Sequence, residues 1–279
     1  MDSKLGILAG GGKLPGRLIK ICQESGRPYH VIAIEGQADP EVVGNSPHTW
    51  IRLGAAQKAL DVARQENFEE IVMVGPVKRP SIVALRPDAL AARVLAKASA
   101  SSVMGDDGLL KAIIMQIEGF GFKVIGPDEI LRDTFNIEGN LGDYAPDDVA
   151  MQDIHRGLLV LNTLGPADVG QSVVIQDNIV IAIEAVEGTD AMIARSGDLH
   201  REGLGGVLIK LPKPGQEKRA DLPTIGPQTI ENASKAGIRG VAIYANETLF
   251  VDREKTIELA NSLGLFLFSF NPGKWLGSV

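Results

Sequence analysis

Leu5-Gly-Ile-Leu-Ala9-Gly10-Gly11-Gly12-Lys-Leu-Pro15 decides the fold. Its first five residues carry no charge and read as a strand buried on both faces. Three consecutive glycines then end the strand in a turn free to adopt positive φ. Pro15 opens a helix-like stretch to Ser25, since a proline in the first helical turn breaks no hydrogen bond. Working outward, Tyr29–Ile34 reads as a second strand, Trp50–Leu53 as a third and Ile71–Val74 as a fourth, with an amphipathic helix over Gln57–Gln65. Helix-like stretches at Asp88–Ser99 and Asp107–Glu118 precede a strand at Phe122–Ile125. Strands alternating with helices predict parallel βαβ units in a three-layer sandwich.

From Asn136 to Pro146 the apolar periodicity lapses, which predicts an interdomain linker. The chain then divides into an N-terminal domain over 1–135, a linker over 136–146 and a distinct α/β domain over 147–279. In the second half, Asp147–Thr163 predicts a helix whose first acids complement its dipole. Ser172–Ile175 and Ile179–Ile183 flank Asp177-Asn178, a pair suited to a tight hairpin turn. Strands at Gly206–Lys210, Val241–Tyr244, Leu249–Val251 and Leu265–Phe268 alternate with helices from Thr229 and over Arg253–Leu263.

A length of 279 residues favours two cores over one. Hydrophobic residues at 44% and charged residues at 23% fit a water-soluble globular protein. A net charge of -7 without any basic tract argues against nucleic-acid binding. The start has no signal-peptide pattern, and no apolar run reaches the roughly 18 residues of a membrane span. Cys22 has no partner for a disulfide, in keeping with a cytoplasmic protein. The four histidines are scattered without ligand spacing, so a zinc site is not expected.

Chemistry concentrates at a few loops. Gly10-Gly11-Gly12 follows the first strand, where nucleotide folds place phosphates, yet Pro15 breaks the dinucleotide fingerprint and Arg17-Leu18 break the P-loop. The loop is either a nonstandard nucleotide site involving Gly11 and Gly12 or a plain tight turn. Gly75-Pro-Val-Lys78-Arg79-Pro80 also follows a strand, so Lys78 and Arg79 are either phosphate contacts or solvated charges. Gly105-Asp106-Asp107 reads first as a helix cap and first-turn acids. In Glu187-Gly188-Thr189-Asp190, Thr189 either caps a helix or Glu187 and Asp190 face a cation, with Glu184 near. Lys210-Leu-Pro-Lys213-Pro-Gly-Gln216-Glu-Lys218-Arg219-Ala-Asp221-Leu-Pro-Thr224 sets four cations against Glu217 on a backbone shaped by proline and glycine. Cations beside one aspartate suit a phosphate and its metal, or else an exposed loop.

Together, Leu8–Pro15, Gly75–Pro80, Gly105-Asp-Asp107, Asp168-Val-Gly-Gln171, Glu187-Gly-Thr-Asp190 and Lys213–Gly226, with its Asp-Leu-Pro-Thr-Ile-Gly, resemble the UDP-2,3-diacylglucosamine pyrophosphatases of the LpxI type. The resemblance covers essentially the whole chain. It implies a Rossmann-like N-terminal domain, a distinct α/β C-terminal catalytic domain, a ligand held between them and a homodimer. It implies Mg²⁺-dependent hydrolysis of UDP-2,3-diacylglucosamine in lipid A biosynthesis, yielding UMP and lipid X by attack of water on the α-phosphorus. The family's essential aspartate falls on Asp221. On that footing Asp221 binds Mg²⁺ or orients water, Asp190 is a second metal ligand, and Lys213 and Arg219 bind the pyrophosphate. Gly11, Gly12, Lys78, Arg79, Glu187, Thr189, Gln216 and Thr224 are the remaining substrate contacts. A lipid substrate implies a cytoplasmic enzyme that visits the inner membrane surface transiently. Two other classes compete: an NAD-type oxidoreductase using the glycine loop and Glu35, and a nucleotide-sugar-binding protein without catalysis.

Overall fold

The computed structural model describes residues 3–78, 81–100, 106–131 and 137–275. Contacts between Cα atoms divide the chain into two compact units, residues 1–132 with 217–221, and 133–216 with 222–279. No helix among the described residues is long and apolar enough to cross a membrane.

In the first unit β1 (Leu5–Ala9), α1 (Leu14–Ser25), β2 (Tyr29–Ile34), α2 (Pro40–Val43), β3 (His48–Ile51), α3 (Ala56–Gln65) and β4 (Glu70–Val74) follow one another. The short α4 (Ile82–Leu85), then α5 (Ala89–Ala100), α6 (Asp106–Gly119) and β5 (Lys123–Ile125) complete it. The sheet order is β3-β2-β1-β4-β5, and every pair is parallel. Order reverses beside β1, which is the switch point of a doubly wound sheet. The central strands are buried on both faces, as their apolar runs require, with Glu70 at the partly exposed start of β4 paired to Arg27 and Lys123. Gly6 has a specific reason: a Cβ there would lie 2.3 Å from the Phe68 ring. The third strand lies two residues earlier than the Trp50–Leu53 expectation. His48 and Thr49 pair with Val31 and Ile32, and an edge strand takes polar residues because half of it faces water.

The second unit contains β6 (Gly139–Asn140), α7 (Asp148–Leu164), β7 (Ser172–Gln176), β8 (Ile179–Ile183), α8 (Thr189–Asp198) and β9 (Gly206–Lys210). It continues through β10 (Thr224–Ile225), α9 (Pro227–Lys235), β11 (Ile238–Tyr244), β12 (Leu249–Phe250), α10 (Arg253–Ser262) and β13 (Phe266–Phe270). Its main sheet runs β6-β13-β11-β9-β7-β8, while β10 and β12 pair separately. Strands β9, β11 and β13 are parallel; β6, β7 and β8 run against their neighbours. Alternation along the strands separates two cores. Val174, Leu208, Val241 and Leu267 pack with Met192, Ile230 and Ala260 of α8, α9 and α10. Val173, Ile209, Ala242 and Phe266 pack with Ala150, Ile154 and Leu158 of α7. Gly157 lets α7 come close, since a Cβ there would lie 2.7 Å from Ile209.

The β7–β8 turn is formed by Asp177 and Asn178, at φ 51° and 64°. Both are residues that tolerate the left-handed region. Asp153 of α7, 1% exposed, accepts the Asn178 N–H at 2.6 Å and pins the hairpin to the helix. Its Oδ2 is buried without a hydrogen-bond partner among the described residues. Burial pushes the Asp153 carboxyl above the usual carboxylate range, against the hydrogen bonds from Asn178 and Asp177 and the charge of Arg239, with Asp177 adding to the rise. A raised folded-state value means the folded protein holds the proton more tightly than the unfolded chain. The cost of burying the charge is therefore absent below the ordinary value and complete above the folded one. Asp153→Asn keeps an acceptor for Asn178 and carries no charge. It is expected to raise stability by about 1 kcal/mol at pH 7 and by nothing at acid pH. Asp153→Ala leaves the turn amides unpaired and is expected to cost about 2 kcal/mol at neutral pH. Denaturant melts of the three proteins from pH 4 to 8 measure both.

Candidate active site

Three loops meet at the carboxyl edge of the first unit's sheet. The Gly10 N–H donates to Val74 O and the Gly11 N–H to Pro76 O, both at 2.8 Å. A Cβ on Gly10 would lie 2.5 Å from Gly75 O, and one on Gly75 would lie 2.3 Å from Gly11 O. Gly12 and Gly75 adopt φ of 75° and 89°. The glycines are thus demanded by backbone lying against backbone. After β2, Gln37 accepts the Lys78 N–H at 2.9 Å, which ties a third loop to the same edge. Helix α1 begins here with no acid in its first turn. Gly11, Gly12 and Lys78 therefore share one edge, beside a helix N-terminus whose free amides favour an anion. Arg79 lies outside the described residues, as does Gly105.

Residues 217–221 return to this unit from the second half of the sequence. The Glu217 carbonyl accepts the N–H groups of Ala220 at 3.1 Å and Asp221 at 3.0 Å, closing a single turn. Ala220 packs with Met73 of β4, Ile114 of α6 and Val124 of β5. The turn therefore lies against the carboxyl-terminal parts of two parallel strands. Asp107 accepts the Glu217 N–H at 2.8 Å and pairs with Lys111 at 2.6 Å. Arg219 forks the Glu217 carboxylate with Nε and Nη2, each at 2.9 Å, and reaches Glu118 with Nη1 at 2.6 Å. The hydrogen bonds from Arg219 hold the Glu217 carboxyl below the usual carboxylate range. Asp128, just past β5, is pushed above that range by burial. Its carboxylate occupies the space that a side chain at Gly126 would need, with Arg219 Cα close by. Asp221 is half-buried and engaged with its surroundings.

The second unit gathers the other polar residues. Val174, Ala182 and Leu208 form a row on the face that carries α8, α9 and α10. One strand period further along, the row becomes Ser172, Glu184 and Lys210. Thr189, the first residue of α8, joins them: its hydroxyl donates to Glu184 Oε1 at 3.0 Å and accepts from Lys210 Nζ at 2.8 Å. Glu184 and Lys210 are 8% and 6% exposed, so this is a buried network. Gly188, at φ 81°, occupies the cap position of α8 and makes no side-chain cap bond. Glu187 is ion-paired with Arg195 at 2.9 Å, and Asp190 accepts from Asn232 at 3.0 Å. Glu187 is held below the usual range first by backbone hydrogen bonding and then by Arg195. Lys213 is ion-paired with Asp168, and its N–H donates to Gln216 Oε1 at 2.7 Å. Thr224 donates to Leu222 O at 3.2 Å at the start of β10.

Sequence reading singles out Thr189, with Glu184 near it, and Lys210 in a separate loop, but not the bonds that join the three. The signal was a two-residue period: Ser172, Glu184 and Lys210 stand where the inward row calls for apolar side chains. Glu118, and the bond from Glu217 to Asp107, carry no sequence signal, because 110 positions separate the latter pair.

Asp221 belongs to the first unit and Asp190 to the second. Among the described residues no three His, Cys, Asp or Glu side chains are grouped to hold a metal. A hard cation such as Mg²⁺ takes one or two carboxylates and completes its shell with water and substrate phosphates, and Asp221 fits that donor chemistry.

The family model described as the LpxI N-terminal domain matches residues 4–134, and the LpxI C-terminal domain matches residues 137–268. The UDP-2,3-diacylglucosamine pyrophosphatase LpxI of Caulobacter vibrioides is 38% identical over 275 residues, covering 96% of this chain and 98% of that protein. With both domain models matched in order along the chain, and with a relative aligned over nearly its full length, the chain belongs to the LpxI family.

Proposed function

We propose that the protein hydrolyses the pyrophosphate bond of UDP-2,3-diacylglucosamine to UMP and 2,3-diacylglucosamine 1-phosphate, a step of lipid A biosynthesis. The observation that carries this reading is the full-length match to a protein of that named activity. The anchored turn bearing Asp221 in its Asp-Leu-Pro-Thr-Ile-Gly segment supports it. The resident group is Mg²⁺, which when bound neutralises phosphoryl charge and acidifies water.

The residues divide the labour. Asp221 is the essential carboxylate, holding Mg²⁺ or orienting the water that attacks the α-phosphorus; Asp190 is the second metal-binding carboxylate. The glycine loop offers backbone N–H groups at a helix start, and Lys78 and Arg79 bring cations to the same stretch for the nucleotide phosphates. Lys213 meets the pyrophosphate and is oriented by Asp168, while Gln216 fixes the Lys213 backbone. Glu187, Thr189 and Thr224 complete the substrate contacts. The enzyme acts as a homodimer in the cytoplasm and reaches its lipid substrate by transient contact with the inner membrane surface.

Purified protein incubated with UDP-2,3-diacylglucosamine in ¹⁸O water is expected to place the label in UMP. EDTA abolishes turnover and added Mg²⁺ restores it. Asp221→Ala lowers kcat by about a thousandfold or more. Label in the sugar phosphate would move the attack to the other phosphorus. Ligand binding without cleavage under Mg²⁺ would favour the non-catalytic binding protein. Lys213→Ala is expected to raise KM about tenfold and leave kcat within a few-fold, since a charge-assisted contact made equally before and during the reaction acts on binding. Steady-state kinetics of that variant check the assignment.

A further inference from the structure

We infer that Arg219 is a positioning residue, one that holds the turn bearing Asp221 against α6 by joining Glu217 to Glu118. This rests on the reading of Asp221 as the essential carboxylate.

Residues 217–221 make one hydrogen-bonded turn, and a single turn has no stability of its own. A five-residue excursion between two departures of the chain must be held by side chains or by its docked surface. Three ties do so. Ala220 buries its methyl against Met73, Ile114 and Val124. The Glu217 N–H binds Asp107 near the start of α6. Arg219 spans from Glu217 to Glu118 near the end of the same helix. Asp107 and Glu118 lie eleven residues apart on one helix, so the turn is fixed along α6 at two separated points. A methyl group alone would leave it free to pivot.

Guanidinium chemistry suits this task and lysine does not. Two N–H groups of Arg219 are spent on the two oxygens of Glu217, and a third lies on Glu118. An ammonium is a point charge and cannot fork one carboxylate while holding another. The same bonds leave the arginine's charge matched by two carboxylates. This is the environment of a clamp and not of a cation waiting for a pyrophosphate. Asp221 follows Arg219 by two residues, and its N–H closes the turn on the Glu217 carbonyl. Any pivot of Glu217 therefore moves Asp221 directly.

The test compares Glu118→Gln, Arg219→Lys and the double variant in the full chain. Turnover of UDP-2,3-diacylglucosamine and the affinity for UMP are measured under Mg²⁺, with wild type and Asp221→Ala as controls. An active wild type with an inactive Asp221→Ala keeps the underlying reading separate from the result. Misplacing a reacting group by about 1 Å costs up to about a hundredfold, so each single variant is expected to lower kcat about tenfold or more. KM and the UMP dissociation constant stay within about twofold. The double variant is no slower than the slower single one, because both changes break one bridge. Glu118 is an exposed side chain at 40%, so Glu118→Gln is expected to keep the wild-type melting temperature. Wild-type kcat in Glu118→Gln overturns the inference, as does a fall in kcat matched by loss of the folded protein at the assay temperature. Weakened UMP binding in Arg219→Lys with Glu118→Gln unaffected would overturn it too, and would return Arg219 to the pyrophosphate.

Discussion

Backbone lies against backbone where the loop after β1 meets the loop after β4, and the carboxyl edge of the first unit depends on that contact. Gly10 and Gly11 donate to Val74 and Pro76 carbonyls, and no side chain fits at Gly10 or Gly75. In a parallel sheet the strands are spaced by hydrogen bonds, but the loops beyond their ends are not. Bringing two such loops into direct contact closes the gap at the point where strand order reverses. Pinning Lys78 to Gln37 then extends the closed edge to the loop after β2. A rigid rim made of main chain keeps its remaining amides oriented at no cost in side-chain entropy, which suits recognition of a fixed anionic group.

The second constraint concerns how a short stretch can belong to a unit remote from it in sequence. Residues 217–221 carry few atoms to bury, so hydrophobic contact supplies little beyond the methyl of Ala220. Ionic hydrogen bonds supply the rest: the one to Glu118 is exposed, while those to Glu217 are part-buried. Glu217, with a side chain 15% exposed, is partly removed from water, which strengthens its bonds to Arg219. Charge balance follows the same logic. Asp107 takes Lys111 as well as the Glu217 amide, and Arg219 faces two carboxylates, so the surface of α6 binds the turn without leaving a bare buried charge.

What could be read from the sequence was whatever repeats along it. The strand–helix alternation through Leu5–Ile125 predicted a parallel sheet because periodicity is local, and the Asp177-Asn178 hairpin because the turn residues select their own φ. Neither Pro40–Val43 nor Ile82–Leu85 was foreseen, since four-residue helices hold no full amphipathic period. The lapse of pattern at 137–146 has a physical cause as well: Gly139 and Asn140 pair with Ser269 and Phe268 through their backbones, which leaves no mark on side-chain choice. At the site, residues of distinctive type were visible, Asp221 and Lys213 among them. The pairings were not: Asp107 and Asp168 stood out only as parts of motifs and Glu118 not at all, because nothing local says that they meet Glu217, Lys213 and Arg219.

The row Ser172, Glu184 and Lys210 shows how a core ends. Each strand there continues inward as an apolar residue, Val174, Ala182 or Leu208, and the change comes at the same level on three neighbouring strands. Burying a lysine and a glutamate is costly unless they are joined, and replacing a buried ion pair with apolar residues is often neutral or stabilising. Bonding both of them to the Thr189 hydroxyl makes the network depend on where α8 begins. The helix start, the end of β9 and the segment after β8 are thereby fixed to one another by a chain of directional bonds. An apolar row would hold the same elements by contact alone, which tolerates sliding by fractions of an ångström. Directional bonds do not, and so the polar row sets the position of the α8 N-terminus more narrowly than packing would.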